Sequence, residues 1–414
     1  MRVIILDPFL KNASGHCYFY DITVLNELRK RGIPVLILGN QDADSKCLQI
    51  KEFIPCLTEV TFSLFAATAS VNKILSIWKK FSSCIKHIEQ SLFGNGQFLL
   101  QEEGVIFVPT VYIFEQLCLA WVLFFRHRDF EKKKTRLSIV LRFSFSRNSK
   151  ALTILLRIFY KLADLLLCRV KNRVNYFTDS QLLKKEYEKL LTKAVEVLPI
   201  PVFPFPLNIG KAAIERIPAL NDKTVVSYVG GARFNKGFDI FVEAVERLSM
   251  DDEIKQRILF ISQLDIHPQT LQDREAVSKA AQKLKSLSGE VDNVKIIYGV
   301  LSEADYYGLL QQSHIIVLPY RDEAYKTATA NILVEAILLG RVPLVSSNTW
   351  MAYELSKCGL GDLVFKVGDV EGLAGKIKEA AFGYSGYQSK INDVRKDWES
   401  LHSVKNLVDS LVNP

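Results

Sequence analysis

The first stretch able to do chemistry is Gly230-Gly231-Ala232-Arg233-Phe234-Asn235-Lys236-Gly237, which follows an apolar run ending at Val229 and leads into an amphipathic segment. Paired glycines let a backbone approach a ligand closely, Arg233 and Lys236 set two cations three residues apart, and a helix starting there adds its partial positive charge. That combination suits a diphosphate, the plain alternative being a glycine turn with two solvated cations. The loop is neither G-x-x-x-x-G-K-[ST] nor G-x-G-x-x-G, which disfavours P-loop ATP hydrolysis and ordinary NAD binding. A second stretch begins at Pro319-Tyr320 and reaches Thr327-Ala328-Thr329-Ala330-Asn331. Those small residues open a helix whose unpaired N–H groups and hydroxyls can hold an anion. Glu335 follows about one and a half turns later, among Leu333, Val334, Ala336 and Ile337. A carboxylate there is costly unless it accepts strong hydrogen bonds, which vicinal ribose hydroxyls would supply; a surface salt bridge is the simpler reading.

Strand ends must position these loops. The chain opens as strand (3–6), loop (7–15), helix (about 17–30) and strand (34–38), with Tyr20, Val24, Leu25 and Leu28 at helical period. This βαβ start predicts a parallel sheet. Residues 60–104 read as largely helical with a turn at Gly94-Asn95-Gly96, and strands are expected at 105–108, 137–143, 176–178 and 195–198. Pro199, Pro201, Pro204, Pro206 and Pro218 then crowd one stretch, too many for a helix interior or central strand, which marks a linker. The alternation restarts with strands at 224–229, 257–261, 294–298, 315–318, 343–345 and 363–365. Helices are expected to begin near Gly237, Gln269, Ser302, Thr329, Trp350 and Val370, and an amphipathic tail runs from Tyr387 to Leu411. The fold class is α/β: two Rossmann-like, doubly wound domains facing a cleft (1–200 and 223–383), a linker at 201–222, and a helical tail (384–414) that can cross back to the first domain. Ligands of such sheets bind outside the carboxyl ends of the strands.

With 414 residues, 49% hydrophobic and 24% charged, the chain is globular and long enough for two domains or three. Its net charge of +8 is unevenly placed: residues 121–200 hold 18 Lys and Arg against 7 acids, and the remainder is slightly acidic. That segment also carries Trp121, Phe124, Phe125, Phe143, Phe145 and Leu165-Leu166-Leu167, a mixture suited to an anionic membrane surface or acceptor; basic helix faces in water are the alternative. It contains no nucleic-acid motif. The seven cysteines have no C-x-x-C pair and read as free thiols of a reducing, cytoplasmic compartment. MRVIILDPFL lacks the long apolar region of a signal peptide. Val105 to Phe125 has the length of a membrane span, but Pro109, Glu115 and Gln116 divide it into a buried strand and a helix from about Tyr112. Asp42-Ala43-Asp44 matches D-x-D literally, yet a pattern so short in a polar turn recurs by chance. His267 and His314 lack ligand partners at helical spacing, and no metal is expected.

The order V-G-G-x-R-x-x-K-G-F (229–238), Y-G-V-L-S, V-L-P-Y, T-x5-E-A, G-x-V-P-L-V and V-G-D-V-E-G-L-A resembles the donor half of retaining GT-B glycosyltransferases of the group-1, family-4 kind. The first half is similar more loosely, through its Gly15 loop and Val195-Glu196-Val197-Leu198-Pro199. The resemblance implies that Arg233 and Lys236 neutralise the donor diphosphate and support the leaving nucleotide. It implies that Glu335 holds the ribose and that Val300 and Leu301 lie beside the base. Gly15, Gly231, Tyr320, Thr327, Thr329, Ala330 and Asn331 complete the expected donor site. The first acid of the family's E-x7-E motif falls on Thr327, so direct carboxylate contact with the donor sugar is not expected. The histidine that many relatives carry on a central strand is missing; Arg142, at the end of Ser138–Phe143, and the loop imidazole His16 are the candidates for its place. The implied activity is hexosyl transfer from a UDP- or GDP-sugar to a hydroxyl of a glycan or lipid-linked acceptor, with retention and without bound cofactor, in polysaccharide biosynthesis at the inner face of a membrane. A sugar-nucleotide epimerase or hydrolase of the same fold is one alternative, and a non-catalytic glycan- or partner-binding paralogue another.

Overall fold

The computed structural model describes residues 1–13, 15–58, 71–94, 103–145, 150–202, 223–266, 271–321 and 323–413. Most of the expected linker, 203–222, lies outside them, as do His267 and Gln269. The chain divides into two compact units: residues 1–203 with 402–414, and residues 204–401.

Unit 1 is built on a parallel sheet of order β3-β2-β1-β4-β5-β6-β7. Its strands are β1 (Arg2–Leu6), β2 (Val35–Asn40), β3 (Phe53–Leu57), β4 (Gly104–Val108), β5 (Thr135–Val140), β6 (Val174–Thr178) and β7 (Val195–Val197). The helices that matter here are α1 (Gly15–Lys30), α2 (Val71–Phe93), α3 (Ile113–Phe125), α4 (Lys150–Leu166) and α5 (Gln181–Tyr187). The unbroken apolar run of β1 follows from burial on both faces. Ile4 and Leu6 join the core under α2 and α3, while Val3 and Ile5 join the one that contains Val24 and Leu28 of α1. Pro109 follows β4, and α3 starts four residues later with Tyr112 as its N-cap, so the span-length apolar stretch is a strand and a helix. Among the described residues no helix is long and apolar enough to cross a membrane. All seven cysteines are free.

Unit 2 repeats the plan with order β10-β9-β8-β11-β12-β13. Its strands are β8 (Thr224–Tyr228), β9 (Ile258–Leu264), β10 (Val294–Tyr298), β11 (Ile315–Leu318), β12 (Val342–Ser346) and β13 (Val364–Phe365). Between and after them run α6 (Phe238–Ser249), α7 (Leu271–Glu290), α8 (Glu303–Gln312), α9 (Asn331–Leu338), α10 (Trp350–Lys357), α11 (Val370–Phe382) and α12 (Tyr384–Leu401). In each unit the strand order reverses beside the first strand, between β1 and β4 and between β8 and β11, which is where a crevice opens at the carboxyl edge.

The stretch expected as one amphipathic tail is two helices. α12 belongs to unit 2, whereas α13 (Val404–Val412) belongs to unit 1, where Leu407, Val408, Leu411 and Val412 join the core with Val3, Ile5 and Leu28. Ser403 caps α13 by accepting the N–H of Asn406 at 3.2 Å, and His402 Nδ1 accepts the N–H of Ile200 at 3.1 Å. Arg31 adds an ion pair to Asp409 at 2.6 Å.

Candidate functional site

Unit 2 gathers its chemistry at the carboxyl ends of β8, β9, β10 and β11. After β8 the chain turns through Gly230, whose φ of +111° a side chain would strain. Its N–H donates to Gln263 Oε1 at 2.8 Å, and Gln263 Nε2 donates to the carbonyl of Gly299 at 2.9 Å. One buried amide at the end of β9 thus ties the Gly230–Gly231 loop to the loop after β10. The Tyr228 hydroxyl holds the same loop by donating to the Gly231 carbonyl at 3.1 Å.

A single 3₁₀ turn, Phe234–Lys236, then presents the cations. The Arg233 carbonyl accepts from the N–H groups of Lys236 (3.2 Å) and Phe238 (3.3 Å). Gly237, at φ +67°, packs so tightly that a Cβ there would lie 1.9 Å from the Pro319 carbonyl oxygen. Arg321 closes the turn from the β11 side, donating to Asp239 at 2.8 Å and lying 4.1 Å over the Phe234 ring. Lys236 Nζ sits 5.5 Å from the centroid of the Tyr320 ring. Burial, together with the Arg233 charge, holds Lys236 below the usual lysine range, against an opposing pull from Tyr325. Arg233 Nε is buried without a hydrogen-bond partner. Among the described residues, neither cation is ion-paired with a carboxylate.

Glu335 lies in α9, 8% exposed. Burial pushes its carboxyl up to about 7, opposed by hydrogen bonds from the phenols of Tyr306 and Tyr307; the Tyr306 hydroxyl donates to Oε2 at 2.5 Å. Donors expected from a ligand are therefore supplied in part by α8. Helix α9 begins at Asn331, two residues later than expected; Ala330 is its N-cap and offers no side-chain bond to the first turn. Thr327 and Thr329 fall in the turn before it. Val300 is 78% exposed, and Leu301 beside it is half-buried.

In unit 1, Gly15 starts α1 with φ +78°. His16 is the next residue of α1, and its side chain lies outside the described residues. Arg142 lies just beyond β5, which ends at Val140 rather than Phe143. Its Nε is 3.1 Å from Asp179 Oδ2, a terminal nitrogen donates to Thr110 Oγ1 at 3.4 Å, and the guanidinium covers the Tyr20 ring at 4.3 Å. Beside it two carboxyls are fully buried. Burial pushes Asp7 up to about 6, against the Phe9 N–H that donates to Oδ1 at 2.8 Å and against Arg142. Asp21 is raised well above its ordinary value by burial and by Asp7. Each carboxylate so close to the other raises the cost of ionising both.

Among the described residues, no group of three or more His, Cys, Asp or Glu is placed to hold a metal ion. Asp44 of the literal D-x-D is a helix N-cap, accepting the N–H groups of Cys47 and Ala13, each at 2.8 Å. His314 Nδ1 accepts the Val225 N–H at 2.9 Å, a structural bond between β8 and the start of β11.

Residues 223–381 match the family model described as glycosyl transferases group 1. No curated protein matches the chain in sequence. Among solved structures, the UDP-forming α,α-trehalose-phosphate synthase of Burkholderia vietnamiensis is similar over 100% of this chain and 99% of that one, with TM-score 0.66 and 13% identity. HepE of Anabaena, solved with UDP, is similar over 99% and 98%, with TM-score 0.65 and 15% identity. WaaG, a glycosyltransferase involved in lipopolysaccharide biosynthesis, matches over 100% of both chains with TM-score 0.58 and 13% identity. The fold is GT-B. Within this GT-B chain, the structure brings Gly231, Arg233, Lys236 and Tyr320 together at the carboxyl ends of β8 and β11, beside the reversal in strand order. It also adds residues that sequence reasoning missed. Gln263 could have been suspected as an amide ending an otherwise apolar run, and Tyr306-Tyr307 as paired phenols one helix before Glu335.

Proposed function

We propose that the protein is a retaining glycosyltransferase that moves a sugar from a UDP- or GDP-sugar to a hydroxyl of a glycan or lipid-linked acceptor, without a metal ion. The observation that carries this reading is the Arg233–Lys236 pair: two cations held on a glycine loop with no carboxylate partner among the described residues. A desolvated cation is costly until an anion arrives. As the bond from the anomeric carbon to the diphosphate oxygen breaks, its electron pair moves onto the diphosphate, and Arg233, Lys236 and the N–H groups opening α9 stabilise that charge. The acceptor hydroxyl forms the new bond to the anomeric carbon and gives its proton to the departing diphosphate oxygen. Glu335, oriented by Tyr306 and Tyr307, retains an oxygen for ribose hydroxyls; Val300 and Leu301 border the base. Support for UDP comes from the UDP-forming synthase and the UDP complex among the similar structures. Free thiols suit a reducing compartment, which we infer is the cytoplasm.

The test is thermal stabilisation by UDP, GDP, ADP and dTDP, followed by transfer assays with the stabilising nucleotide's sugars. One nucleotide should raise the melting temperature selectively, and Arg233→Ala and Lys236→Ala should each cut turnover by about a hundredfold or more. Near-normal transfer by both variants, or no stabilisation by any nucleotide, would overturn the assignment. Loss of donor with no acceptor present would point to the epimerase or hydrolase instead.

A further inference from the structure

Helix α4 is apolar on its outward side as well as its inward one. Its inward side buries Leu156, Tyr160, Ala163 and the carboxylate of Asp164, which is satisfied by the Tyr176 hydroxyl (3.1 Å) and by the N–H (2.9 Å) and hydroxyl (2.8 Å) of Thr192. Its outward side carries Ile154 (60% exposed), Leu155 (36%), Ile158 (55%), Leu162 (43%) and Leu165 (65%). Five large aliphatics recurring on one solvent-facing stripe are not ordinary surface scatter. The same stripe is basic: Lys150, Arg157 and Lys161 are exposed, and no acid occurs in α4 before the inward Asp164. Next to it, Ile154, Arg157, Ile158, Lys161, Glu186, Lys189 and Leu190 line a groove of about 500 Å³ between α4 and the end of α5. Three cations there face one carboxylate. On the adjacent helix α3, Trp121 (43%) and Phe125 (61%) are also exposed.

We propose that this face of α4, with its groove, is a docking surface for an anionic lipid membrane. Apolar side chains flanked by Lys and Arg match the boundary between acyl chains and anionic headgroups, where a helix lies in the plane of the interface. The aliphatics enter the acyl boundary, Arg157, Lys161 and Lys189 meet headgroup phosphates, and Trp121 and Phe125 suit the interfacial layer. Charge argues against a second copy as the occupant, since self-association would bring like cations together across the contact. The surface gathers four of the 18 Lys and Arg of residues 121–200, Lys150, Arg157, Lys161 and Lys189, on one helix face and its groove, and it is independent of the transferase reading because it needs no nucleotide.

The test is sedimentation of the full chain with vesicles of phosphatidylcholine alone or mixed with phosphatidylglycerol, at about 0.1 M and about 1 M salt. Binding should require phosphatidylglycerol and fall at high salt. Arg157→Glu with Lys161→Glu, and separately Ile158→Ser with Leu165→Ser, should each weaken it by about tenfold or more, with the melting temperature kept, because all four side chains are exposed. No binding to the anionic vesicles, or binding unchanged in both variants, would overturn the proposal. So would a concentration-dependent dimer abolished by Ile158→Ser with Leu165→Ser and accompanied by no vesicle binding.

Discussion

Replacing Glu335 by Gln isolates what a buried carboxyl costs this fold. In the folded chain burial pushes Glu335 up to about 7 from an ordinary 4.5. Each pH unit of separation is worth about 1.4 kcal/mol, so the full difference is about 3.5 kcal/mol. The sign follows from proton binding. Between about 4.5 and about 7 the folded chain holds a proton that the unfolded chain has released, so this group's contribution is fully present below 4.5 and is lost as pH rises through 7. Gln is nearly isosteric, can still bond Tyr306 or Tyr307, and does not titrate. Two units complicate unfolding, so the measurement belongs in a Trp78→Phe, Trp121→Phe background, where both exposed unit 1 tryptophans are gone and Trp350 and Trp398 report on unit 2 alone. Urea unfolding should find the Gln variant close to its parent at pH 5 and more stable by about 2 kcal/mol at pH 8. A gap that is the same at both pH values would refute the account of Glu335 as a carboxyl desolvated by its surroundings.

Gln263→Leu removes the bridge between Gly230 and Gly299, leaving one N–H and one carbonyl without their partner; unit 2 should lose about 2–4 kcal/mol. Under the transferase reading, calorimetric titration should also show nucleoside diphosphate binding weakened about tenfold, and undiminished affinity would remove Gln263 from the site. Gly237→Ala must displace the backbone at Pro319 as well as adopt a left-handed φ, which should cost about 2–4 kcal/mol in urea melts; a loss below about 1 kcal/mol would show that the turn yields easily. Arg142→Met removes the guanidinium that pairs with Asp179 Oδ2 and lowers the buried Asp7–Asp21 pair, for an expected loss of about 3–5 kcal/mol. Because Arg142 holds Asp7 down, the loss should be larger at pH 8 than at pH 5, and a pH-independent loss would contradict the coupling.

Much of the fold was legible because parallel strands buried on both faces leave unbroken apolar runs, as at Val3–Leu6 and Ile315–Leu318. One strand escaped and another was read short, for opposite reasons. β3 contains Pro55, which reads as a breaker, but β3 is the edge of its sheet, where a missing N–H is tolerated. β9, expected at 257–261, runs on through Ser262-Gln263, both of which are buried, and Gln263 serves the loops after β8 and β10. The candidate site was legible where its signal is local, as in Gly230–Gly237, and obscure where partners come from distant sequence. Nothing near Glu335 foretells phenols from α8, and nothing near Arg142 foretells Tyr20 and Asp179. The break at His402-Ser403 is similar: its cap is a local signal, but the surface that α13 covers is set by residues almost four hundred positions earlier.

That covering has a consequence for the order in which the protein can fold. In sequence, unit 2 is an insertion into unit 1, because 204–401 interrupts 1–203 and 402–414. A ribosome delivers the sheet of unit 1 first, yet the face holding Val3, Ile5 and Leu28 lacks Leu407, Val408 and Leu411 until all of unit 2 has been made. Domains ordinarily mature in the order they emerge. Here the second unit has all its residues before the first does, so the half made earliest is completed last, with an unfinished apolar face exposed through the synthesis of everything between.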